Sequence, residues 1–305
     1  MEIKKVSIIG QGALGILFGH QMSKHMPRED LRFIADAERI ARYQKEDVYC
    51  NGERCDFQYV APGEQCEPAD LLLFTVKYNA LRDAVAAVKN HVGPNTIILS
   101  LLNGISSEGI IGETYGMEHI LYCVAQGMDA VKEGNALTYH NMGLLSFGSG
   151  ENGVVSEKER AVSEFFTKVE IPHEIPADMK HRMWGKFMTN VGVNQTSAVY
   201  GCNYGCLQAE GPARDMMILA MREVMALSAL ENVPLTQADL SYWLNVLSTL
   251  NTDGKPSMRQ DVEAKRLSEV ELFAGAVLAF GKKHGYPTPV NQIFYDKMLA
   301  IEKEY

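Results

Sequence analysis

Short apolar runs alternate with amphipathic stretches through the first half of the chain. Val6-Ser7-Ile8-Ile9 reads as a strand, and Leu31 to Ala35, Leu71 to Val76, Thr96 to Leu101 and Ile120 to Val124 read the same way. Runs this apolar suit strands covered on both faces, as in parallel sheets. Between them, Gly12 to about Lys24 places Leu14, Leu17, Phe18 and Met22 at helical spacing. Asn79 to Val92 lines Ala84, Val88 and Val92 along one side of a second helix. Strand and helix in alternation predict βαβ units and a doubly wound parallel sheet of the α/β class. Leu137 to Phe147 reads as antiparallel strand with turns, of the kind that closes such a sheet.

The pattern changes near Ile171-Pro172-His173-Glu174-Ile175-Pro176, where two prolines favour an extended connection. Beyond it the periodicity is helical: Asp178 to Val199, Ala213 to Glu231, Gln237 to Leu250, Ser268 to His284 and Pro289 to Glu304. This predicts two domains, 1–173 with the parallel sheet and 174–305 all-helical. A chain of 305 residues suits two cores rather than one. Met216, Met217, Met221 and Met225 fall on a helix with Ile218 and Leu219 and read as core packing.

Charge narrows the class of partner. The net charge of -9 argues against nucleic acid or an anionic membrane as the main partner, while leaving room for a local basic pocket. No run approaches the roughly 18 to 20 apolar residues that cross a bilayer. Met1 to Lys5 leads straight into a strand, and the glycines after it interrupt any signal-peptide pattern, so the expected location is cytoplasmic. The six cysteines show no C-x-x-C pair and no zinc-type histidine spacing; reduced thiols and no metal site are expected.

The first candidate chemistry sits where the opening strand ends. Gly10-Gln11-Gly12-Ala13-Leu14-Gly15 is a G-x-G-x-x-G that follows a strand and opens a helix. The first glycine makes the turn, the second lets backbone approach a pyrophosphate, and the third lets helix pack on strand. The helix N-terminus supplies N–H donors. The end of the second strand bears on which dinucleotide binds. Asp36 stands 21 residues after Gly15, where an acidic residue takes the ribose 2′-hydroxyl of NAD, yet Arg39 and Arg42 follow and can pair with a 2′-phosphate. Both readings stay open, as does that of two solvated arginines.

The second candidate is Trp184-Gly185-Lys186-Phe187-Met188-Thr189-Asn190-Val191-Gly192-Val193-Asn194. Lys186, Asn190 and Asn194 at i, i+4 and i+8 share one face of an otherwise apolar helix. Such a row is either a solvated helix face or the wall of a cleft for a polar substrate. An ammonium and two carboxamides can satisfy a 2-keto acid.

Together with the glycine loop and this run, Thr75-Val76-Lys77, Leu102-Asn103-Gly104, Lys255-Pro256-Ser257-Met258-Arg259-Gln260-Asp261 and Glu269 occur in an order and spacing that resemble the ketopantoate reductase family over essentially the whole chain. The resemblance implies a Rossmann-like N-terminal domain, an all-helical C-terminal domain and an active site in the cleft between them. It implies NADPH-dependent reduction of 2-dehydropantoate to (R)-pantoate, on the route to pantothenate and coenzyme A. By the same resemblance Lys186 matches the general acid and Glu269 a glutamate beside it. Asn190 and Asn194 match substrate-binding asparagines, and Ser257 matches a serine that binds the substrate carboxylate. Lys77 and Asn103 match residues at the nicotinamide end, Asn103 also within reach of substrate.

Two positions depart from the family pattern. Asp36 stands where the family usually has an arginine for the 2′-phosphate, and Gly254 where some members have an asparagine. NADPH is the favoured cofactor, on family usage and on Arg39 and Arg42; Asp36 keeps NAD open. Two rival functions are carried: a D-2-hydroxyacid dehydrogenase acting on another branched 2-keto acid, and a nucleotide-binding sensor without catalysis. The partners expected are a small 2-keto acid and, at most, a second copy in a homodimer.

Overall fold

A computed structural model of the chain describes residues 1–150 and 153–305. Its contacts divide the chain into two compact units. One holds Met1–Leu102 and Ser107–Met179, the other Asn103–Ser106 and Lys180–Tyr305. The first unit thus runs to Met179, past the boundary expected at 173, and includes a further short strand at His173–Glu174.

The sheet unit runs β1 (Val6–Ile9), α1 (Ala13–Ser23), β2 (Leu31–Ile34), α2 (Ala37–Glu46), β3 (Val48–Cys50), β4 (Glu53–Cys55), β5 (Gln58–Val60), β6 (Leu71–Phe74) and α3 (Leu81–Ala87). It continues with β7 (Ile97–Ser100), α4 (Ser107–Tyr115), β8 (Ile120–Gln126), β9 (Val131–Glu133), β10 (Ala136–Thr138), β11 (Leu144–Gly148), α5 (Glu157–Lys168) and β12 (His173–Glu174). The large sheet has the order β12-β11-β8-β7-β6-β1-β2-β5. Strands β5, β2, β1, β6, β7 and β8 are parallel neighbours. Counted in chain order these six read 3-2-1-4-5-6, a doubly wound Rossmann arrangement whose direction reverses between β1 and β6. Strand β11 runs antiparallel to β8, and β12 joins β11 in parallel at the edge. Of the closing strand expected over Leu137 to Phe147, only the end joins this sheet, as β11; Leu137 and Thr138 belong to β10 of a second sheet, and β12 rather than β11 forms the edge.

Both faces of the sheet are covered, which is why its strands carry no polar alternation. Val6, Ile8, Leu71 and Leu73 pack on one side with Ile16, Leu17 and Phe18 of α1. Ile9, Leu72 and Phe74 pack on the other with Leu81, Ala84 and Val85 of α3. The helix expected over Asn79 to Val92 is broken into α3 flanked by 3-10 turns at Tyr78–Ala80 and Lys89–His91. A second, four-stranded sheet, β4-β3-β10-β9, combines the β3–β4 and β9–β10 hairpins.

The helical unit contains α6 (Met179–Tyr200), which begins on the last residue of the sheet unit, then α7 (Tyr204–Gln208), α8 (Pro212–Leu230), α9 (Gln237–Ser248) and α10 (Ser257–Glu263). A π-helical turn, Glu271–Gly275, leads into α11 (Ala276–His284), and α12 (Pro289–Glu302) follows. Helix α6 is central: Trp184, Phe187, Met188 and Val191 join Met217, Met221 and Val224 of α8 and Trp243 of α9 in one core. Among the described residues, no helix is long and apolar enough to cross a membrane.

Candidate active site

In the sheet unit the loop Gly10–Gly15 lies where the sheet reverses. Gly10 has a φ of +102°, and a Cβ there would sit 2.7–2.8 Å from backbone atoms of Thr75 and Val76 at the end of β6. Thr75 Oγ1 donates to the Gly10 carbonyl at 2.7 Å and to the Ile9 carbonyl at 3.1 Å, tying the loop to β6. A Cβ on Gly15 would lie 2.1 Å from the Gly10 carbonyl oxygen, so this glycine is demanded by the loop's own packing.

Gly12 differs. Its backbone is extended, φ -79° and ψ -167°, and an added Cβ would meet only Thr75 O at an ordinary 3.6 Å. Nothing in the chain's own packing forbids a side chain there, so the open space is left for something else. Gly12 is also the N-cap of α1, with no side-chain cap and no acidic residue in the first turn. The first N–H groups of that helix have no helical partners and favour an anion. Ala13 and Leu14 begin the helix behind it. An uncapped helix start beside an open glycine fits a pyrophosphate.

Beside the loop a cavity of about 230 Å³ is lined by Gly10, Gln11, Ala35, Asp36, Arg39, Tyr43, Ala84 and neighbours. Gln11 donates from Nε2 to Tyr59 Oη at 3.0 Å, while its buried Oε1 finds no partner among the described residues. Asp36 is the N-cap of α2: one carboxylate oxygen accepts from Arg39 N at 2.8 Å, and the other faces Arg39 Nε at 3.4 Å. Both side chains are more than half exposed, so the pair is weak and can rearrange. Arg42 does not line this cavity. It lies over the Tyr43 ring and faces a neighbouring one with Lys132 and Asn135. Lys77 is exposed in the loop after β6.

The helical unit assembles a different kind of site. Helix α6 presses Gly185 against Trp243 and Gly192 against Met221, where a Cβ would sit 2.6 Å and 2.5 Å from those side chains. Lys186, Asn190 and Asn194 follow one another on a separate row. They do not form a solvated face: Lys186 and Asn190 are half-buried and Asn194 is buried.

Asn103 joins them. Its Oδ1 accepts from Lys186 Nζ at 3.3 Å and from Asn190 Nδ2 at 3.4 Å, and its Nδ2 donates to Glu269 Oε2 at 3.1 Å. Asn194 Nδ2 donates to Asn190 Oδ1 at 3.4 Å, and Asn194 Oδ1 accepts from Ser257 Oγ at 3.1 Å and Met258 N at 3.3 Å. One hydrogen-bonded row thus runs from Glu269 to Ser257. Several of its links are long, so ligand atoms can displace them at small cost. Asn194 also satisfies the start of α10 and so holds Ser257 in place. Glu269 precedes the π-helical turn, and the Glu269 carbonyl accepts from both Leu272 N and Phe273 N.

The structure thus brings Lys186, Asn190, Asn194, Ser257, Glu269 and Asn103 into one row, and Gly10, Gln11, Asp36 and Arg39 around one cavity. Sequence reasoning passed over Tyr43, which lines the cavity, and Tyr59, which holds Gln11; their stacked rings have centroids 5.6 Å apart. Single tyrosines near short strands carry no spacing signal. It also assigned no role to Thr75, though the threonine at the end of an apolar run was a signal.

Known proteins resemble the chain along nearly its whole length. Residues 6–152 match the family profile described as ketopantoate reductase PanE/ApbA, and 178–302 match its C-terminal profile. A 2-dehydropantoate 2-reductase of Streptococcus pyogenes is 26% identical over 302 residues, covering 97% of each chain. A solved D-mandelate dehydrogenase with NADH and anilino(oxo)acetate is similar in fold, with a TM-score of 0.87 at 22% identity over 98% of this chain and 99% of that one. The solved 2-dehydropantoate 2-reductase of Geobacter metallireducens gives 0.84 at 20%, covering 97% and 99%. Matched by both profiles and along nearly its whole length, the chain belongs to the ketopantoate reductase family of NAD(P)-dependent oxidoreductases.

Proposed function

We propose that this chain reduces 2-dehydropantoate to (R)-pantoate, with Lys186 as general acid. The observation that carries the reading is the row in which Asn103 links Lys186, Asn190 and Glu269. Gly10 to Gly15, Asp36 and Arg39 would hold a dinucleotide, with Lys77 and Asn103 toward its nicotinamide. The reduced cofactor, when bound, supplies a hydride to the ketone carbon.

Charge then develops on the ketone oxygen, and a proton donor placed there lowers the barrier. Lys186 Nζ gives its proton to that oxygen. Asn103 Oδ1 fixes the ammonium by accepting one of its N–H groups, and Glu269 fixes Asn103 by accepting from the other end of the carboxamide. Asn190 and Asn194 offer amide N–H and C=O groups to the substrate's hydroxyl, and Ser257 offers its hydroxyl to the carboxylate.

For the cofactor, Arg39 supports NADPH: it lies against Asp36 and offsets the charge that would repel a 2′-phosphate. Asp36, lining the same cavity, supports NADH. Comparing kcat/KM for the two decides, and an equal or better value with NADH assigns Asp36 to the 2′-hydroxyl. The likeness to a D-mandelate dehydrogenase keeps other 2-keto acids in view. Loss of reduced-nicotinamide absorbance with a panel of 2-keto acids tests the substrate. Turnover of 2-dehydropantoate far above the rest is expected; faster turnover of another acid reassigns the substrate, and none at all leaves a binding protein.

A further inference from the structure

Glu108 is 2% exposed, yet the chemistry above makes no use of it. It lies in the first turn of α4. Its carboxylate accepts from the Ser107 hydroxyl at 2.9 Å, from its own backbone N–H and from the backbone N–H of Cys123 on β8. Ser107 Oγ in turn accepts from Ser100 Oγ at 2.8 Å, and Ser100 Oγ accepts from Leu102 N at 3.4 Å. Ser100 and Ser107 are each 1% exposed. Every hydroxyl donates once and accepts once, so the chain has a single direction, ending on the carboxylate.

A buried carboxylate is costly unless its hydrogen bonds are met. Burial pushes the Glu108 carboxyl up to about 7, against the pull of the N–H and Ser107 donors. Favouring the start of α4 through the helix dipole accounts for one acid near the N-terminus. It does not account for burial, nor for two serines joined to it in series. The chain's position accounts for both. Strand β7 ends at Ser100 and α4 begins at Ser107, so the Ser100–Ser107 bond closes the segment Leu101–Ser106 on itself. That segment carries Asn103, followed by Gly104 at a φ of +86°.

We propose that Ser100, Ser107 and Glu108 form a buried clamp that fixes the two ends of the Leu101–Ser106 segment and thereby holds the backbone that carries the Asn103 carboxamide. They are positioning residues, and the proposal rests on the reading that Lys186 and Asn103 serve the reaction. Misplacing such a group by about 1 Å can cost on the order of 10²-fold in rate.

The test uses the full-length chain with Ser107→Ala and, as a second disruption that keeps side-chain volume, Glu108→Gln. With 2-dehydropantoate and NADPH, each variant should lower kcat about 10-fold while the KM for NADPH stays within about 2-fold. In an Asn103→Ala background, Ser107→Ala should add almost nothing, because its effect passes through Asn103. Hydrogen exchange supplies a readout independent of turnover: amides of Leu101–Ser106 should exchange faster in Ser107→Ala while the rest of the chain is unchanged. Additive losses in the double variant, or unaltered exchange in that segment, overturn the clamp. An Asn103→Ala enzyme with full kcat overturns the site reading and the positioning role with it, while the exchange result still decides whether the clamp exists.

Discussion

The sheet unit and the helical unit build their candidate sites from different materials. Around Gly10–Gly15 the site consists of backbone and of the space that missing side chains leave, with Thr75 pinning the loop from the neighbouring strand. Along α6 it consists of side chains that hydrogen-bond to one another, from Glu269 through Asn103 to Ser257. The first kind is damaged by adding atoms, the second by removing them. Within the first, the glycines are also unequal: Gly15 serves the chain's own packing, whereas Gly12 does not.

That contrast is broken or sharpened by substitution. Gly15→Ala has the largest expected effect. Its Cβ would fall 2.1 Å from the Gly10 carbonyl oxygen and 2.8 Å from Thr75 Oγ1, so the loop must move. A loss of about 3 kcal/mol or more in stability is expected, together with loss of dinucleotide binding. Gly12→Ala should leave stability within about 0.5 kcal/mol, since its Cβ has room. Its dinucleotide Kd should still rise about 10-fold or more, an effect of about 1.4 kcal/mol. Thermal unfolding paired with dinucleotide titration checks both; a Gly12→Ala protein that binds normally would remove the argument for a pyrophosphate at this turn.

A further effect, confined to acid pH, concerns the stability of the sheet unit. His91 is fully buried, with Nδ1 3.0 Å from Ser7 Oγ, and burial, then the nearby Arg32 charge, lowers its pKa from 6.5 to about 4. The neutral ring is favoured in the fold. Above pH 6.5 the group adds no pH dependence. Between 6.5 and 4 the unfolded chain takes up a proton that the native chain refuses, so stability falls as pH falls, by up to about 1.4 kcal/mol per unit. His91→Gln should flatten this part of the stability curve, measured by denaturant unfolding at successive pH values; an unchanged slope assigns the acid lability elsewhere.

The sequence and the structure meet most closely where one signal repeats. The apolar parallel strands and the long helices have enough residues for their periodicity to show, and the glycine loop was marked by its place between strand and helix. Three-residue strands have no periodicity to read. The β3–β4 hairpin did leave a turn signal, Asn51-Gly52, both at positive φ, which suits a tight hairpin. The row on α6 was legible as spacing, but not that its residues bond to each other. Asn103 was placed by resemblance at the nicotinamide end; its grouping with the helical unit depends on contacts far apart in sequence. Asp36 read as a ribose ligand or a repulsive charge, while its capping of α2 needed the backbone. Glu108 showed no signal, because a lone glutamate early in a helix is ordinary.

The central claim is that chemistry resides on Lys186 and dinucleotide binding on the other unit. Steady-state kinetics of Lys186→Ala, paired with direct titration of the reduced dinucleotide, tests it most directly. A general acid contributes typically about 10²- to 10⁴-fold, so kcat should fall at least about 10²-fold with the dinucleotide Kd nearly unchanged. Lys186→Arg should not restore activity, because a guanidinium keeps its proton and differs in shape. A Lys186→Ala enzyme with near-normal kcat would contradict the account.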